Sequence, residues 1–214
     1  PILCSMLHQR NIKSKTEFHY RLNMSHKPQH SVCVFCGSRP GKSPAYIKSA
    51  LEIGEALAHN NLRLVYGAGD VGLMGAVANA VQQHNGAVFG VIPTHLLERE
   101  VGKTDLTQFI ITENMHERKK LMFMNSDAII TLPGGPGSLD ELFEVLTWAQ
   151  LGQHEKPIFL LNTDGYWDTL LTLIDHQIEQ GFADPSFRAF LQDFNSVDSL
   201  MEKLLYDLSR RHEA

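Results

Sequence analysis

Residues 133–138 contain three glycines and are followed by Glu141, so a flexible turn lies next to a carboxylate. Glycine lacks a Cβ, which allows positive φ and close approach of a ligand to the backbone. The apolar run 128–130 predicts a buried strand before this turn, and the apolar spacing over 139–149 predicts a helix after it. The N–H groups that begin such a helix favour a bound anion, most often phosphate. The three glycines are Gly134, Gly135 and Gly137.

The same residues allow a purely structural interpretation. Ser138-x-x-Glu141 fits a capping box, in which Ser138 is the N-cap and Glu141 is the third helical residue. In that arrangement the Glu141 carboxylate only accepts a hydrogen bond from the backbone. The spacing by itself leaves the anion site and the capping box both open.

The chain has 214 residues, of which 43% are hydrophobic and 20% charged, which suits one globular domain over residues 31–214. No apolar run reaches the roughly 18 residues that a membrane span requires. The apolar run near the start is too short for a secretory signal. We therefore expect a cytoplasmic protein without a membrane partner.

Charge is unevenly distributed along the chain. The net charge is −5, but residues 1–30 carry +4, which leaves −9 for the remainder. An acidic main part argues against nucleic acid as a partner. Residues 1–30 also lack hydrophobic periodicity, so we interpret them as a basic, loosely ordered extension.

Cys33-x-x-Cys36 has the spacing of a redox motif. A redox pair needs the first turn of a helix to lower a thiol pKa, whereas residues 31–36 predict a strand. Positions three apart on a strand point to opposite faces. Two cysteines are also too few for a structural zinc site, so we expect neither redox nor zinc chemistry here.

Two further glycine turns follow predicted strands. The first, after Cys36, resembles a Walker A loop but has three residues between Gly37 and Gly41 where that motif has four. The second, at 67–72, reads G-x-G-x-x-G after a strand predicted at 62–66. NAD binding would also need a carboxylate at the end of the next strand, near residue 92, and none is there.

Strands and helices alternate up to an amphipathic helix predicted at 197–210. This order predicts a Rossmann-like, doubly wound parallel sheet in a three-layer α/β/α arrangement. Ligands of such folds bind beyond the carboxyl ends of the strands, where all three glycine turns would lie. The convergence indicates a nucleotide-sized ligand that carries phosphate.

A helix capped by Asn114 begins with Met115-His116-Glu117-Arg118-Lys119. The helix dipole disfavours cations in a first turn. The run is therefore either a solvated basic face or a sign that an anion lies nearby.

Residues 133–141 resemble the P-G-G-x-G-T-x-x-E signature of the Lonely Guy family, which comprises cytokinin riboside 5′-monophosphate phosphoribohydrolases often labelled possible lysine decarboxylases. Residues 115–119 resemble its second motif, at a matching distance. The resemblance covers roughly residues 31–205. Two positions depart from the family pattern, with Ser138 in place of Thr and Ala68 in place of Gly.

The resemblance implies hydrolysis of the base–ribose bond in an adenine-type nucleoside 5′-monophosphate, AMP or a cytokinin riboside monophosphate, without metal or organic cofactor. Glu141 and Arg118 match the catalytic pair of the family. The 5′-phosphate would be held by Gly134, Gly135, Gly137 and Ser138, with Lys119 adding charge. Other implied substrate contacts are Gly37, Ser38, Met115, Glu100 and Thr147. The family also implies a homodimer.

Two other functions can be set against this one. A carrier could hold a nucleotide or a phosphorylated cofactor in the same turn without cleaving it. A lysine decarboxylase would need pyridoxal phosphate bound to a lysine, and no lysine of this chain has a recognisable Schiff-base setting.

Overall fold

Parallel strands form the centre of the protein in the computed structural model, which describes residue 28, residues 30–97 and residues 102–211. The strands are β1 (His30–Phe35), β2 (Leu62–Tyr66), β3 (Val88–Pro93), β4 (Gln108–Thr112), β5 (Ala128–Thr131), β6 (Ile158–Leu161) and β7 (Leu191–Phe194). They make one seven-stranded sheet in the order β4-β3-β2-β1-β5-β6-β7.

Helices connect these strands and cover both faces of the sheet. They are α1 (Pro44–His59), α2 (Gly72–Gln83), α3 (Thr94–Leu97), α4 (Met115–Met124), α5 (Pro136–Gln150), α6 (Asp168–Glu179) and α7 (Val197–Arg210). Apolar side chains of α1, α2 and α7 form the core on one face, and those of α4, α5 and α6 form the core on the other. The predicted three-layer, doubly wound fold is confirmed.

The two cysteines of the C-x-x-C sequence point to opposite faces of the sheet, as predicted. Cys33 belongs to the core beneath α5 and α6, whereas Cys36 belongs to the core beneath α1 and α2. Neither forms a disulfide within the described part of the chain, and burial raises the pKa of the Cys33 thiol well above its usual value. This arrangement favours a packing role for both side chains.

The order of the strands in the sheet reverses next to β1: β2 to β4 lie on one side of it, and β5 to β7 lie on the other. The chain runs outward from β1 to β4 on one side, then returns to place β5 against the other side of β1. The carboxyl ends of β1 and β5 therefore diverge into two separate turns, and a crevice opens between them. Just beyond the strands, the Gly37 N–H donates to the Pro133 carbonyl at 3.0 Å and ties the two turns together.

The helix after the glycine turn begins earlier than the capping box requires, so the interpretation in which Ser138 is its N-cap is wrong. Gly135 is the N-cap and Pro136 the first helical residue. Proline suits that position because its missing N–H has no helical partner there. Ser138 is thus the third helical residue, and Glu141 lies in the second turn.

Other sequence expectations have mixed outcomes. The short helix α3 was not predicted, and residues 98–101, which follow it, lie outside the described residues. Of the predicted basic extension, only residues 28 and 30 are described, so the domain division at residue 30 stays a prediction. No helix within the described ranges is long and apolar enough to span a membrane.

The packing of α1 on α2 gives a stability test at Gly54. A Cβ there would lie 2.5 Å from the Val77 carbonyl oxygen and 2.6 Å from the Ala80 Cβ. Alanine favours a helix over glycine by about 1 kcal/mol, yet this clash with backbone is overpacking. We expect Gly54→Ala to lower the free energy of unfolding by about 1–3 kcal/mol in urea titrations.

Gly137→Ala is the matched control, because it makes the same change in a helix where nothing lies within 4 Å of the new Cβ. It should leave the free energy of unfolding unchanged or slightly higher. Equal effects of the two substitutions would contradict the assigned close packing of α1 on α2.

Candidate active site

A cavity of about 620 Å³ lies at the carboxyl edge of the sheet, between the turns that follow β1 and β5. Its volume is in the range of small-molecule sites. It is lined by residues 36–41, Tyr46, Leu73, Met74, Leu96, Met115, Arg118, residues 133–138, Glu141 and Tyr166. The sequence-predicted residues that meet here are Gly37, Ser38, Met115, Arg118, Gly134, Gly135, Gly137, Ser138 and Glu141.

The three glycines of the β5–α5 turn differ in the space around them. None has positive φ, so that part of the sequence expectation is wrong. A Cβ on Gly134 would lie 2.1 Å from the Ser138 Oγ and 3.1 Å from the Gly37 nitrogen, so close packing requires glycine there. Gly135 and Gly137 face open space. A ligand can therefore approach the backbone where α5 begins.

Glu141 lies on α5, one turn beyond this entrance. It is half-buried and lines the cavity together with Gly137 and Ser138, four and three residues earlier. Residues so spaced share a helix face. The carboxylate therefore stands beside the anion-favouring end of the helix, about one helical pitch along its axis.

Arg118 reaches the cavity from α4 and is 4% exposed. Its Nη2 donates to the Gly67 carbonyl at 2.7 Å, and its Nε donates to the Val91 carbonyl at 3.2 Å. Its Nη1 lies 3.8 Å from the Met115 sulfur. The planar guanidinium can hold both carbonyls because its donors diverge in a fixed fork. The carboxyl ends of β2 and β3 thus fix the orientation of this cation.

The G-x-G-x-x-G segment serves this arginine and the neighbouring turn. A Cβ on Gly67 would lie 2.0 Å from the Arg118 Nη2, so glycine makes room for the guanidinium. Gly72 has φ +58° and packs against the Ser38–Arg39 backbone, where a Cβ would come within 2.4 Å. These contacts occupy the space that a dinucleotide pyrophosphate would need next to Gly67 and Gly72.

Lys119 does not line the cavity, contrary to its predicted role of adding charge to the phosphate site. Its Nζ lies 2.9 Å from an Asp140 oxygen and 3.2 Å from a Glu144 oxygen. Burial lowers the pKa of Lys119, but the hydrogen bonds to these carboxylates outweigh it and raise the pKa above its usual value. The ammonium group therefore links α4 to α5.

Two other predicted substrate contacts, Thr147 and Glu100, have different outcomes. Thr147 is exposed on α5, and its Oγ1 donates to the Phe143 carbonyl at 2.6 Å, away from the cavity lining. Glu100 lies outside the described residues.

The cavity contains side chains that sequence reasoning missed. The Tyr166 hydroxyl donates to the Gly134 carbonyl at 2.5 Å, and its ring packs edge-on against Tyr46 with 5.4 Å between centroids. Arg39 lies at the cavity wall on the exposed turn after β1. Nothing in the local spacing marks Tyr46 and Tyr166, because only the β1–β5–β6 arrangement brings these distant residues together.

Comparison with known proteins assigns the family. The family described as "possible lysine decarboxylase" matches residues 74–204. The probable cytokinin riboside 5′-monophosphate phosphoribohydrolase LOGL2 of Oryza sativa subsp. japonica is 48% identical over 184 residues, which are 85% of this chain and 74% of that protein. Cytokinin riboside 5′-monophosphate phosphoribohydrolase LOG3 of Arabidopsis thaliana is 45% identical over 173 residues, 81% of this chain and 80% of that protein.

A solved structure with the same fold is the molybdenum cofactor binding protein of Rippkaea orientalis, with a TM-score of 0.64 and 20% identity over 84% of this chain and 97% of that one. At 20% identity, this similarity shows a shared fold and nothing further. The match of the family over residues 74–204, together with identities of 45–48% to the plant proteins, shows that the chain belongs to the Lonely Guy family, whose family description is "possible lysine decarboxylase".

Proposed function

We propose that this chain hydrolyses the N-glycosidic bond of adenine-type nucleoside 5′-monophosphates, AMP or a cytokinin riboside monophosphate, and releases the free base and ribose 5-phosphate. The observation that carries the proposal is the meeting of an open helix N-terminus, Glu141 and Arg118 in one cavity. The related plant enzymes are named for phosphoribohydrolase activity on cytokinin riboside 5′-monophosphates, which supports the same substrate class.

The phosphate end of the substrate is assigned to the start of α5. Open space at Gly135 and Gly137 lets phosphate oxygens reach backbone N–H groups at the positive end of the helix dipole. The buried Ser138 hydroxyl packs closely against Gly134. The Tyr166 hydroxyl holds the same loop through the Gly134 carbonyl.

The reacting end is assigned to Glu141. Breaking the bond between C1′ and the base builds positive charge on the ribose, as in glycoside hydrolysis. A carboxylate beside C1′ stabilises that charge or takes a proton from the attacking water. The water oxygen bonds to C1′, and the electron pair of the broken bond leaves with the base, which gains a proton.

Arg118 is assigned to positioning and charge balance. Two backbone carbonyls fix its guanidinium, so it presents a preorganised cation to the cavity without reorganising during the reaction. A cation there favours both the substrate phosphate and an ionised carboxylate.

The base and its substituent are assigned to the apolar part of the wall, where Leu73, Met74, Leu96 and Met115 line the cavity. No lysine occurs among the described lining residues. A pyridoxal phosphate enzyme needs a lysine there for its Schiff base, so the wall argues against the decarboxylase activity in the family description.

The test is release of ribose 5-phosphate from AMP and from its isopentenyl derivative by the intact chain and by Glu141→Gln. We expect the substitution to lower kcat by about 100-fold or more, because an amide neither accepts the proton nor bears the charge. The ratio of the two wild-type rates ranks the substrates.

Glu144→Gln is the matched control, since residue 144 is one turn further along α5, outside the cavity, and contacts Lys119. It should retain most of the wild-type turnover. Tight binding of AMP without any product release would contradict hydrolysis and favour the carrier function. Loss of turnover in Glu144→Gln to the level of Glu141→Gln would contradict the role of Glu141.

Homodimer formation is also part of this proposal. Met124 and Leu151 are 64% and 66% exposed at the ends of α4 and α5, which a ring contact between Phe123 and Trp148 holds together. Exposed apolar side chains grouped in this way favour burial against a second copy. Light scattering should give twice the mass of one chain, and Leu151→Glu should shift it toward one chain. A wild-type mass of one chain would contradict the dimer.

A cytoplasmic location stays a prediction from the sequence.

A further inference from the structure

A second group of chemically capable side chains lies at the opposite edge of the sheet from the cavity. Glu55 and His59 lie one turn apart at the end of α1, and His84 follows the last residue of α2. Both helices end just before their next strands begin, at Leu62 and Val88, which places these side chains at the amino edge of the sheet. The cavity that contains Glu141 lies at the carboxyl edge.

The three side chains converge on one point. A Glu55 carboxylate oxygen lies 3.9 Å from His59 Nδ1 and 3.7 Å from His84 Nε2. The two imidazole rings meet edge to face with 4.9 Å between centroids. One ligand atom from each residue falls within 4.8 Å of the others. Tetrahedral zinc with bonds of about 2.0–2.2 Å separates its ligand atoms by roughly 3.4 Å, so small side-chain rotations close the site.

Hydrogen bonding prepares His84 for metal coordination. Its Nδ1 lies 2.9 Å from the Ala80 carbonyl oxygen. A carbonyl can only accept, so Nδ1 donates this hydrogen bond, and Nε2, which faces Glu55, is the nitrogen left to bind a metal ion. A backbone carbonyl on the second nitrogen is the usual support for a histidine that binds metal.

The two helices that carry these side chains are closely packed. Glu55 and His59 are four residues apart on one helix, so they share a face. Close contact of α1 with α2 at Gly54 brings His84 to that face, and a Cβ on Gly86 would lie 2.9 Å from the Ala58 Cβ. The carboxyl ends of two helices meet here, and their dipoles favour a cation.

We propose that Glu55, His59 and His84 bind a divalent transition-metal ion of the zinc class, with water completing the coordination. Two imidazoles and one carboxylate are ligands that zinc accepts, whereas calcium and magnesium prefer sites made of oxygen alone. The ion links the end of α1 to the end of α2. Because the site is remote from the cavity, it acts on stability and not on nucleotide cleavage.

The probe is Zn²⁺ itself, titrated by calorimetry into the full metal-free chain and into His84→Ala, His59→Ala and Glu55→Gln. We expect the wild-type chain to bind one Zn²⁺ more than each variant at micromolar concentration, or to bind it about 10- to 100-fold more tightly. His176→Ala removes a comparably exposed histidine on α6 and should bind as wild type. Mg²⁺ at the same concentrations should give no heat of binding.

Two further readouts distinguish zinc binding at this site from zinc binding by other histidines of the chain. Zn²⁺ should raise the melting temperature of the wild type and of His176→Ala, but not that of the three site variants. Co²⁺ should give a visible absorption band that the site variants lose. Equal Zn²⁺ affinity and equal melting shifts in all five proteins would overturn the proposal, as would a wild type that binds no Zn²⁺.

Discussion

The candidate site depends on the close approach of two turns that are far apart in sequence. The Gly37 N–H donates to the Pro133 carbonyl, and the space beside Gly134 is too small for a Cβ. This contact is possible because β1 and β5 are neighbours, although three strands separate them along the chain. The crevice between diverging connections at such a point is where open α/β sheets bind ligands. The cavity, the start of α5 and the position of Glu141 all follow from this contact.

The buried cations Arg118 and Lys119 have hydrogen-bonding partners that offset the free-energy cost of removing them from water. Arg118 donates to the carbonyls of Gly67 and Val91, which replace water around a cation that is nearly inaccessible to solvent. Lys119 instead turns toward Asp140 and Glu144 and supports the contact of α4 with α5. Arg118 and Lys119 are adjacent on α4 but have different roles. Arg118 faces the cavity, whereas Lys119 links α4 to α5.

The sequence predicts most of the fold because hydrophobic periodicity and turn residues agree along the chain. The strand at 62–66 and the helix at 197–210 have the predicted bounds. The start of α5 was harder to predict, since Ser138 and Glu141 fit a capping box while Gly135 and Pro136 give an equally good helix start three residues earlier. Local rules cannot choose between two such starts, because they do not include the packing of this turn against the distant Gly37.

The site could be predicted in part, for a related reason. The glycine turn, Arg118 and Glu141 lie in recognisable local patterns, and all of them line the cavity. The direction of the Lys119 side chain depends on carboxylates 21 and 25 residues away, which no local pattern indicates. Tyr46 and Tyr166 come together only in the folded chain. The same holds for the Glu55, His59 and His84 cluster, which needs the packing of α1 on α2.

The measurement that tests the account most directly is a crystal structure of Glu141→Gln with AMP bound. Phosphate oxygens should lie within about 3 Å of backbone N–H groups at the start of α5, and C1′ of the ribose should face the side chain at 141. The adenine ring should lie against the wall formed by Met74, Leu96 and Met115. A nucleotide bound with its base at the glycine turn, or with its ribose far from residue 141, would contradict the assignment of the site.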